Sequence, residues 1–276
     1  MITLSNELCS VVVDPEMGLT IESFTFGGEE LLHQDRERKA SGRTYGIPIL
    51  FPTPNRVALD AYTFEGKRVP AVMHGFLRHR RCEVEAKSDT SLTGTFIFDG
   101  EEPLFPYLGM ISVTISLIGA TLRWEFHLIN TGSNAFAYGL ALHPFFVKKK
   151  GMKLETNCYQ RLITDEEMLP TEEVVSEHPS SDVDTLAIDA IYRCSGPSSS
   201  TLRGDDVTVK IQGSSAFGYT VVYTSVELPF ICIEPQSCAI NAHNLKNQEL
   251  AALQILERNQ EHTHWIEITA EDNHEI

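Results

Sequence analysis

Three ionisable side chains stand in surroundings that suit proton transfer. Glu234 ends one apolar run of the sequence, and His143 lies inside another. Burial raises the pKa of a carboxyl group and lowers the pKa of a histidine, so both are candidates for general acid–base work. His74 precedes Gly75, where the backbone can approach a ligand closely. Taken singly, each histidine is equally explained as a structural residue, and the glutamate as an exposed strand end.

Hydrogen-bond donors that a rigid stretch of backbone holds in place accompany these groups. The pair Asn55 and Arg56 ends the segment 46–56, whose three prolines prevent a continuous hydrogen-bond ladder. A rigid loop of this kind presents several donors in one place. Arg78 follows His74 closely in sequence and is suited to orienting a carboxylate. The alternative for this cluster is a structural loop with a solvated arginine.

The motifs of other chemistries are absent from the sequence. There is no G-x-S-x-G elbow, no P-loop and no G-x-G-x-x-G after a strand. His74, His79 and His143 lack H-x-x-x-H or H-E-x-x-H spacing, which argues against a metal-dependent hydrolase or isomerase. General acid–base chemistry without a nucleophile, metal or cofactor is the most economical interpretation.

Charge and composition restrict the partners. The 276 residues carry a formal charge of −16, from 38 acidic against 22 basic residues. Such a chain is poorly suited to binding a nucleic-acid backbone or an anionic membrane. We expect a neutral substrate, or one held by a few local bases. No stretch approaches the roughly 18 apolar residues of a transmembrane helix.

The cysteines indicate a reducing compartment. Six are present without C-x-x-C spacing, and no signal-peptide pattern precedes them. We therefore expect reduced, mostly buried thiols in a cytoplasmic protein. These cysteines are Cys9, Cys82, Cys158, Cys194, Cys232 and Cys238.

Short strand-like runs separated by turn residues dominate the chain, and they predict an all-β sandwich or barrel. The runs 111–118 and 122–129 flank a short turn and predict a hairpin. The other predicted strands are 8–13, 19–26, 92–98, 207–211, 219–223, 230–234 and 262–269.

Three segments are less regular. Residues 248–257 are rich in helix formers, and we expect a strand in their second half. The acidic stretch 165–189 predicts an exposed excursion, and 195–200 predicts a loop. None of them has the length of a linker, so we expect one domain over residues 1–276.

Four clusters, in this order and with these gaps, resemble the aldose 1-epimerase (galactose mutarotase) family. They are GIPILFPTPNR at 46–56, HGFLR at 74–78, LALHPFF at 140–146 and CIEPQSCAINAHN at 232–244. The resemblance extends over essentially the whole chain. It departs from the family where Phe146 follows Phe145, because a tyrosine–phenylalanine pair is common there.

The resemblance implies a large antiparallel β-sandwich, the mutarotase-like supersandwich, with few short helices. It implies one mutarotase-like domain with a sugar cleft on one sheet, and neither cofactor nor metal. The implied activity is interconversion of the α and β anomers of a free aldose. The implied partner is a small sugar, without nucleic acid or membrane, and a homodimer is possible.

The resemblance also assigns catalytic roles. Glu234 corresponds to the base that takes the proton of the C1 hydroxyl, and His143 to the acid that protonates the ring oxygen. His74 corresponds to a helper at the ring oxygen. We expect the Glu234 carboxylate and the His143 imidazolium to stabilise each other's charged forms.

Five further residues are expected to bind the substrate. Arg56, with Asn55, corresponds to the family pair that binds sugar hydroxyls, and Asp189 resembles a substrate-binding aspartate. Arg78 is the third polar candidate. Phe145 offers an aromatic surface on which a sugar ring can pack.

Two alternatives remain open within this fold. One is a sugar-binding protein without catalysis. The other is a mutarotase for a hexose 6-phosphate, in which Arg78, Arg80 and Arg81 form a basic spot. A solvated basic edge explains these three arginines equally well.

Overall fold

The computed structural model describes residues 1–274 of the chain. Two short helices are present in this part, α1 over Arg36–Ala40 and α2 over Gln248–Ala251. The strands are β1 Ile2–Ser5, β2 Cys9–Asp14, β3 Thr20–Phe26, β4 Glu29–Glu30, β5 Ile49–Leu50, β6 Ala61–Phe64, β7 Lys67–Pro70, β8 Glu83–Lys87, β9 Ser91–Asp99, β10 Leu108–Ile118, β11 Thr121–Asn130, β12 Phe136–Tyr138, β13 Ala141–Leu142, β14 Phe145–Val147, β15 Lys153–Thr156, β16 Cys158–Thr164, β17 Pro170–Ser176, β18 Ile188–Cys194, β19 Ser199–Arg203, β20 Val207–Gly213, β21 Tyr219–Thr224, β22 Phe230–Gln236, β23 Gln254–Leu256 and β24 Glu261–Asp272.

Two eight-stranded sheets form the body of the fold. The first has the order β15-β19-β20-β24-β11-β10-β9-β8, and the second runs β17-β16-β18-β21-β22-β13-β5, with β14 also paired to β22. A four-stranded sheet, β1 to β4, and the two-stranded pairs β6–β7 and β12–β23 complete it. Neighbouring strands in both large sheets are antiparallel, and side chains of both sheets meet in one hydrophobic cluster. The fold is therefore the all-β sandwich predicted from the sequence.

The hairpin β10–β11 shows how the sequence pattern forms the first sheet. Every second residue along these strands is buried, and Ile115 pairs with Trp124 in the hydrophobic core. The alternate positions carry polar groups such as Ser112 and Thr114, which lie on the outer face. One face of this sheet is thus buried and the other is partly solvated, as period-two alternation requires.

Strand β22 differs because all seven of its residues are buried. Ile231 and Ile233 point into the main core, whereas Cys232 packs in a separate small cluster with Phe145. Side chains alternate between the two faces of a strand, so Glu234 lies on the same face as Cys232, away from the core. The continuous apolar character of β22 therefore reflects burial on both faces, and its outer face lies beneath other chain segments.

Most sequence expectations for the elements are confirmed. Each of the nine predicted strands outside residues 248–257 overlaps an observed one, and residues 248–257 split into α2 followed by β23, as expected for their second half. The segment 165–189 is largely exposed, as predicted, but it also contains β17 and the start of β18. The segment 195–200 likewise ends inside β19. Strand β17 is an edge strand with mostly exposed side chains, so its polar sequence resembles that of a loop.

All six cysteines are buried and none forms a disulfide, as the sequence predicts. Cys158 and Cys194 lie opposite each other on β16 and β18, with their sulfurs 3.9 Å apart. In residues 1–274 there is no helix of the length and apolar character needed to cross a membrane.

Candidate functional site

A cavity of about 290 Å³ opens beside the outer face of β22. Its lining combines the acidic and histidine candidates with several arginines. The lining residues are Arg38, Gly42, Arg43, Thr44, Asn55, Arg56, Met73, His74, Arg78, His143, Asp189, Tyr223 and Glu234. The cavity therefore brings together seven of the eight side chains that the sequence nominates.

Strand pairing brings Glu234 and His143 together at the base of this cavity. Ala141 pairs with Gln236 and Phe145 pairs with Cys232, and the same register carried between these two pairs places His143 opposite Glu234. Pro144 lacks an N–H group, so the ladder is interrupted there. The His143 Nε2 and Glu234 Oε1 atoms are 3.3 Å apart, and both side chains are almost fully buried.

The second histidine reaches the cavity through an unusual backbone. His74 and Gly75 both have φ near +68°. A Cβ atom on residue 75 would overlap the carbonyl oxygen of Phe51, so only glycine allows this approach. The His74 amide donates to the carbonyl of Asn55 at 2.9 Å, and its ring centroid lies 5.2 Å from that of His143.

The polar pair Asn55 and Arg56 is fixed by its own hydrogen bonds. The Asn55 side-chain oxygen accepts from the Arg56 amide at 2.9 Å and from its guanidinium at 3.4 Å. Asp189, on β18, lies in the field of Arg56. Burial raises the pKa of Asp189, and the positive charge of Arg56 opposes that rise. The three residues present both donors and acceptors to the cavity.

Burial controls the protonation of the Glu234 and His143 pair. Desolvation, and then the nearby Asp189 carboxylate, raise the pKa of Glu234 well above its usual value. Desolvation, and then electrostatic interactions with His74 and Arg38, lower the pKa of His143 well below its usual value. The expectation of a mutually stabilised carboxylate and imidazolium was therefore wrong for the unliganded site, because burial favours the neutral form of both groups.

His74 is also neutral at pH 7. Burial, and then the positive charges of Arg78, Arg56 and Arg38, lower its pKa to about 3. A neutral imidazole has one N–H donor and one acceptor nitrogen. His74 is thus equipped for hydrogen bonding to a ligand rather than for carrying a charge.

Phe145 is the nominated residue that does not line the cavity. It is 1% exposed, and its ring stacks on His143 with centroids 4.5 Å apart and an interplanar angle of 4°. It therefore orients the imidazole instead of offering a surface to the cavity. Arg80 and Arg81 are also absent from the lining: Arg80 donates to the carbonyl of Ile97, and Arg81 pairs with Glu16.

Sequence reasoning missed the wall formed by residues 38–44. Arg38 lies over the Phe145 ring at 4.8 Å and donates from Nε to the carbonyl of Thr44 at 2.6 Å. Asp35 caps α1 by accepting from the Arg38 amide, which fixes the start of this wall. The charged run at 36–43 looks like a solvated surface, so the sequence holds no local signal of its position. Met73 and Tyr223 were missed as well.

One group of potential metal ligands lies at the same place. Potential ligand atoms of His143, Cys232 and Glu234 all lie within 4.8 Å of one another. Burial raises the pKa of Cys232 well above its usual value, which disfavours the thiolate that binds metals. The donor set is thus poorly suited to a resident metal, and residues 1–274 show no other such group.

The chain matches one protein-family model, and its fold matches several solved structures. A family model described as aldose 1-epimerase matches residues 1–269. A protein from Synechocystis sp. PCC 6803 has 23% identity and a TM-score of 0.85, with 98% of this chain and 94% of that chain covered. A galactose mutarotase-like protein from Clostridium acetobutylicum has 16% identity and a TM-score of 0.86, with 98% and 94% covered. Another from Lactobacillus casei has 20% identity and a TM-score of 0.84, with 98% and 100% covered. At these identities the three structures show a shared fold.

Proposed function

The chain belongs to the aldose 1-epimerase family, and we propose that it interconverts the α and β anomers of an aldose by general acid–base ring opening. The observation that carries this proposal is the buried pair of Glu234 and His143, 3.3 Å apart at the base of an open cavity. A carboxyl group and an imidazole that share one proton supply both a base and an acid.

The chemistry requires two proton transfers on one sugar. A cyclic hemiacetal opens when the C1 hydroxyl loses a proton and the ring oxygen gains one. The pair reacts in the form that carries its shared proton on His143: Glu234 takes the first proton as a carboxylate, and His143 delivers the second as an imidazolium. The C1–O5 bond breaks, and an open-chain aldehyde remains beside a protonated Glu234 and a neutral His143.

Burial favours the protonation state that accompanies this intermediate. The pKa of Glu234 is raised and that of His143 is lowered, so the neutral pair is the stable form in the desolvated site. Rotation about C1–C2 then exposes the other face of the aldehyde. Reversal of both proton transfers closes the ring with the opposite configuration, and returns the pair to its starting state.

The other lining residues are proposed to hold the sugar. Asn55 and Arg56 donate hydrogen bonds to hydroxyl groups, and Asp189 accepts them. His74 contributes a neutral imidazole 5.2 Å from the His143 ring, measured between ring centroids, where it assists at the ring oxygen. Substrate binding and proton transfer thus use different residues, which separates their effects on KM and kcat.

Polarimetry on freshly dissolved α-D-glucose and α-D-galactose tests this proposal. Glu234→Gln and His143→Asn should each lower the rate of mutarotation by about 10²-fold to 10⁴-fold, the contribution of a general acid or base. Glu267→Gln is the matched control, because Glu267 pairs with Arg123 in the other large sheet. Near wild-type rates in either site variant would contradict the assignment. Binding of sugar without any acceleration would favour a binding protein.

A further inference from the structure

Four arginines line the cavity of a strongly acidic chain. They are Arg38, Arg43, Arg56 and Arg78, against two acidic lining residues, Asp189 and Glu234. The whole protein has a formal charge of −16. The cavity is therefore a local concentration of positive charge on a molecule that otherwise repels anions, and such a site focuses anionic ligands.

None of these four arginines forms an ion pair with a carboxylate of residues 1–274. Five of the nine arginines outside the cavity have an acidic partner. The paired arginines are Arg81, Arg123, Arg161, Arg193 and Arg203. Arg38, Arg56 and Arg78 are half-buried, where a guanidinium without a counterion loses part of its hydration. The cavity thus holds positive charge that the protein itself does not neutralise.

Three of the arginines converge on one wall of the cavity. The Nε of Arg38 donates to the carbonyl of Thr44 at 2.6 Å, and Nη1 of Arg78 donates to the carbonyl of Gly42 at 3.3 Å. Arg43 belongs to the same segment, and its Nε donates to the Ser41 hydroxyl at 3.1 Å. These contacts tie α1 and residues 41–44 to the 74–78 segment. The wall is therefore an arginine cluster assembled from two distant parts of the sequence.

Each guanidinium in this cluster keeps donors for a ligand. A guanidinium has five N–H donors, and each of these three uses one of them in the side-chain hydrogen bonds of the structure. The stacking of Arg38 on the Phe145 ring and the hydrogen bonds to the wall hold the planar groups in place. A pre-oriented guanidinium loses less entropy on binding, and its geometry matches phosphate and carboxylate oxygens.

We propose that the substrate is an aldose that carries an anionic group, phosphate or carboxylate, bound by Arg38, Arg43 and Arg78 while its anomeric centre lies at Glu234 and His143. This inference rests on the proposed function, because it names the substrate class of the same site. Arg56, beside Asp189, binds the hydroxyl groups of the sugar in this arrangement. A neutral aldose leaves the three guanidiniums without a counterion.

Anion binding also assists the chemistry. Arg38 and Arg78 are among the groups whose charges lower the pKa of His143. An anion on the arginine cluster cancels part of that effect and makes protonation of His143 easier when substrate is bound. A bound anionic group thus favours the imidazolium that donates a proton to the ring oxygen. It therefore raises kcat as well as lowering KM.

Calorimetric titration tests the substrate class independently of catalysis. Glucose 6-phosphate and glucuronate are compared with glucose and with inorganic phosphate, using the Glu234→Gln variant to prevent turnover. We expect at least one anionic sugar to bind about 10-fold to 100-fold more tightly than glucose, the equivalent of one charge-assisted hydrogen bond. The preferred anion distinguishes phosphate from carboxylate. Equal or weaker binding of both anionic sugars overturns the proposal.

Variants locate the anion on the cluster. Arg43→Gln and Arg38→Gln should each reduce the ratio of anionic-sugar to glucose affinity by about 10-fold. Arg36→Gln is the matched control, because Arg36 lies on α1 and is exposed outside this cavity. An unchanged ratio in both cluster variants, or an equal fall in the control, overturns the assignment. If the wild type converts glucose and neither anionic sugar, the proposed function stands and this inference fails.

Discussion

The substitution Gly75→Ala tests how the backbone positions His74. Gly75 has φ +68°, and a Cβ atom there would lie well inside 3.0 Å of the Phe51 carbonyl oxygen, a distance that real Cβ atoms do not show. That oxygen also accepts the hydrogen bond of the Phe76 amide. The segments 46–56 and 74–78 must therefore move apart, and His74 moves with them.

The loss of stability expected for Gly75→Ala is the sum of two separate costs. An alanine in the left-handed region costs about 1–2 kcal/mol, and a weakened hydrogen bond costs about 1 kcal/mol more. Relief of the overlap requires a shift of about 1 Å, and a displacement of that size in a catalytic group reduces activity by about 10²-fold. We therefore expect a loss of about 2–3 kcal/mol in the free energy of unfolding, and a much larger proportional loss of mutarotation.

Gly119→Ala is the matched control for this experiment. Gly119 has φ +58° in the β10–β11 turn, and nothing lies within 4 Å of a Cβ atom there. It shares the cost of the left-handed backbone but not the steric overlap. Urea unfolding and polarimetry on both variants separate the two effects. If Gly75→Ala were no worse than Gly119→Ala in stability and activity, the account of His74 positioning would be refuted.

Three further predictions concern pH, binding and metals. Burial lowers the pKa of His74 to about 3 and of His264 to about 4, whereas an unfolded histidine titrates near 6.5. The unfolded chain then binds protons that the folded chain does not, so the free energy of unfolding should fall between about pH 6.5 and 4, by about 1.4 kcal/mol per pH unit for each such histidine. Urea unfolding at several pH values checks this, and constant stability from pH 7 to 5 would contradict it. Asp189→Asn should raise KM about 10-fold, and because the Asp189 charge also raises the pKa of Glu234, kcat should change as well; an unchanged KM would exclude a binding role. EDTA should leave the rate unchanged, whereas a loss reversed by added metal would indicate an ion at His143, Cys232 and Glu234.

Local patterns were sufficient to predict the fold. Apolar and polar residues alternate along β10 and β11, and the turn at residues 119–120 between them specifies a hairpin. The continuous apolar run of β22 was also assigned correctly as a strand. Edge strand β17 was missed because its side chains contact water and show no alternation. That the chain forms a single domain stays a prediction.

The candidate site was predictable where its residues interrupt an apolar pattern. Glu234 and His143 were found because each stands among buried residues, and strand register then brings them together. Arg38 and Arg43 were not found, because their neighbours resemble an exposed charged segment. Their position depends on α1 packing near Phe145, which is a tertiary contact without a sequence signature.

The protonation state of the site was the least predictable feature. An ion pair between a glutamate and a histidine is expected from sequence, since opposite charges attract. The structure places both side chains almost out of contact with water, at 1% and 5% exposure for Glu234 and His143, and desolvation is the largest cause of the raised pKa of the carboxyl group and the lowered pKa of the imidazole. Only three-dimensional burial decides which effect is larger.

The central claim is that Glu234 and His143 act as one proton-transfer pair, and a double-variant measurement tests it most directly. Mutarotation rates are measured for Glu234→Gln, His143→Asn and the combined variant on the preferred sugar. Groups that act as a unit are strongly non-additive, so the double variant should lose about as much activity as the more damaged single variant. A loss equal to the product of the two single losses would show independent roles and contradict the account.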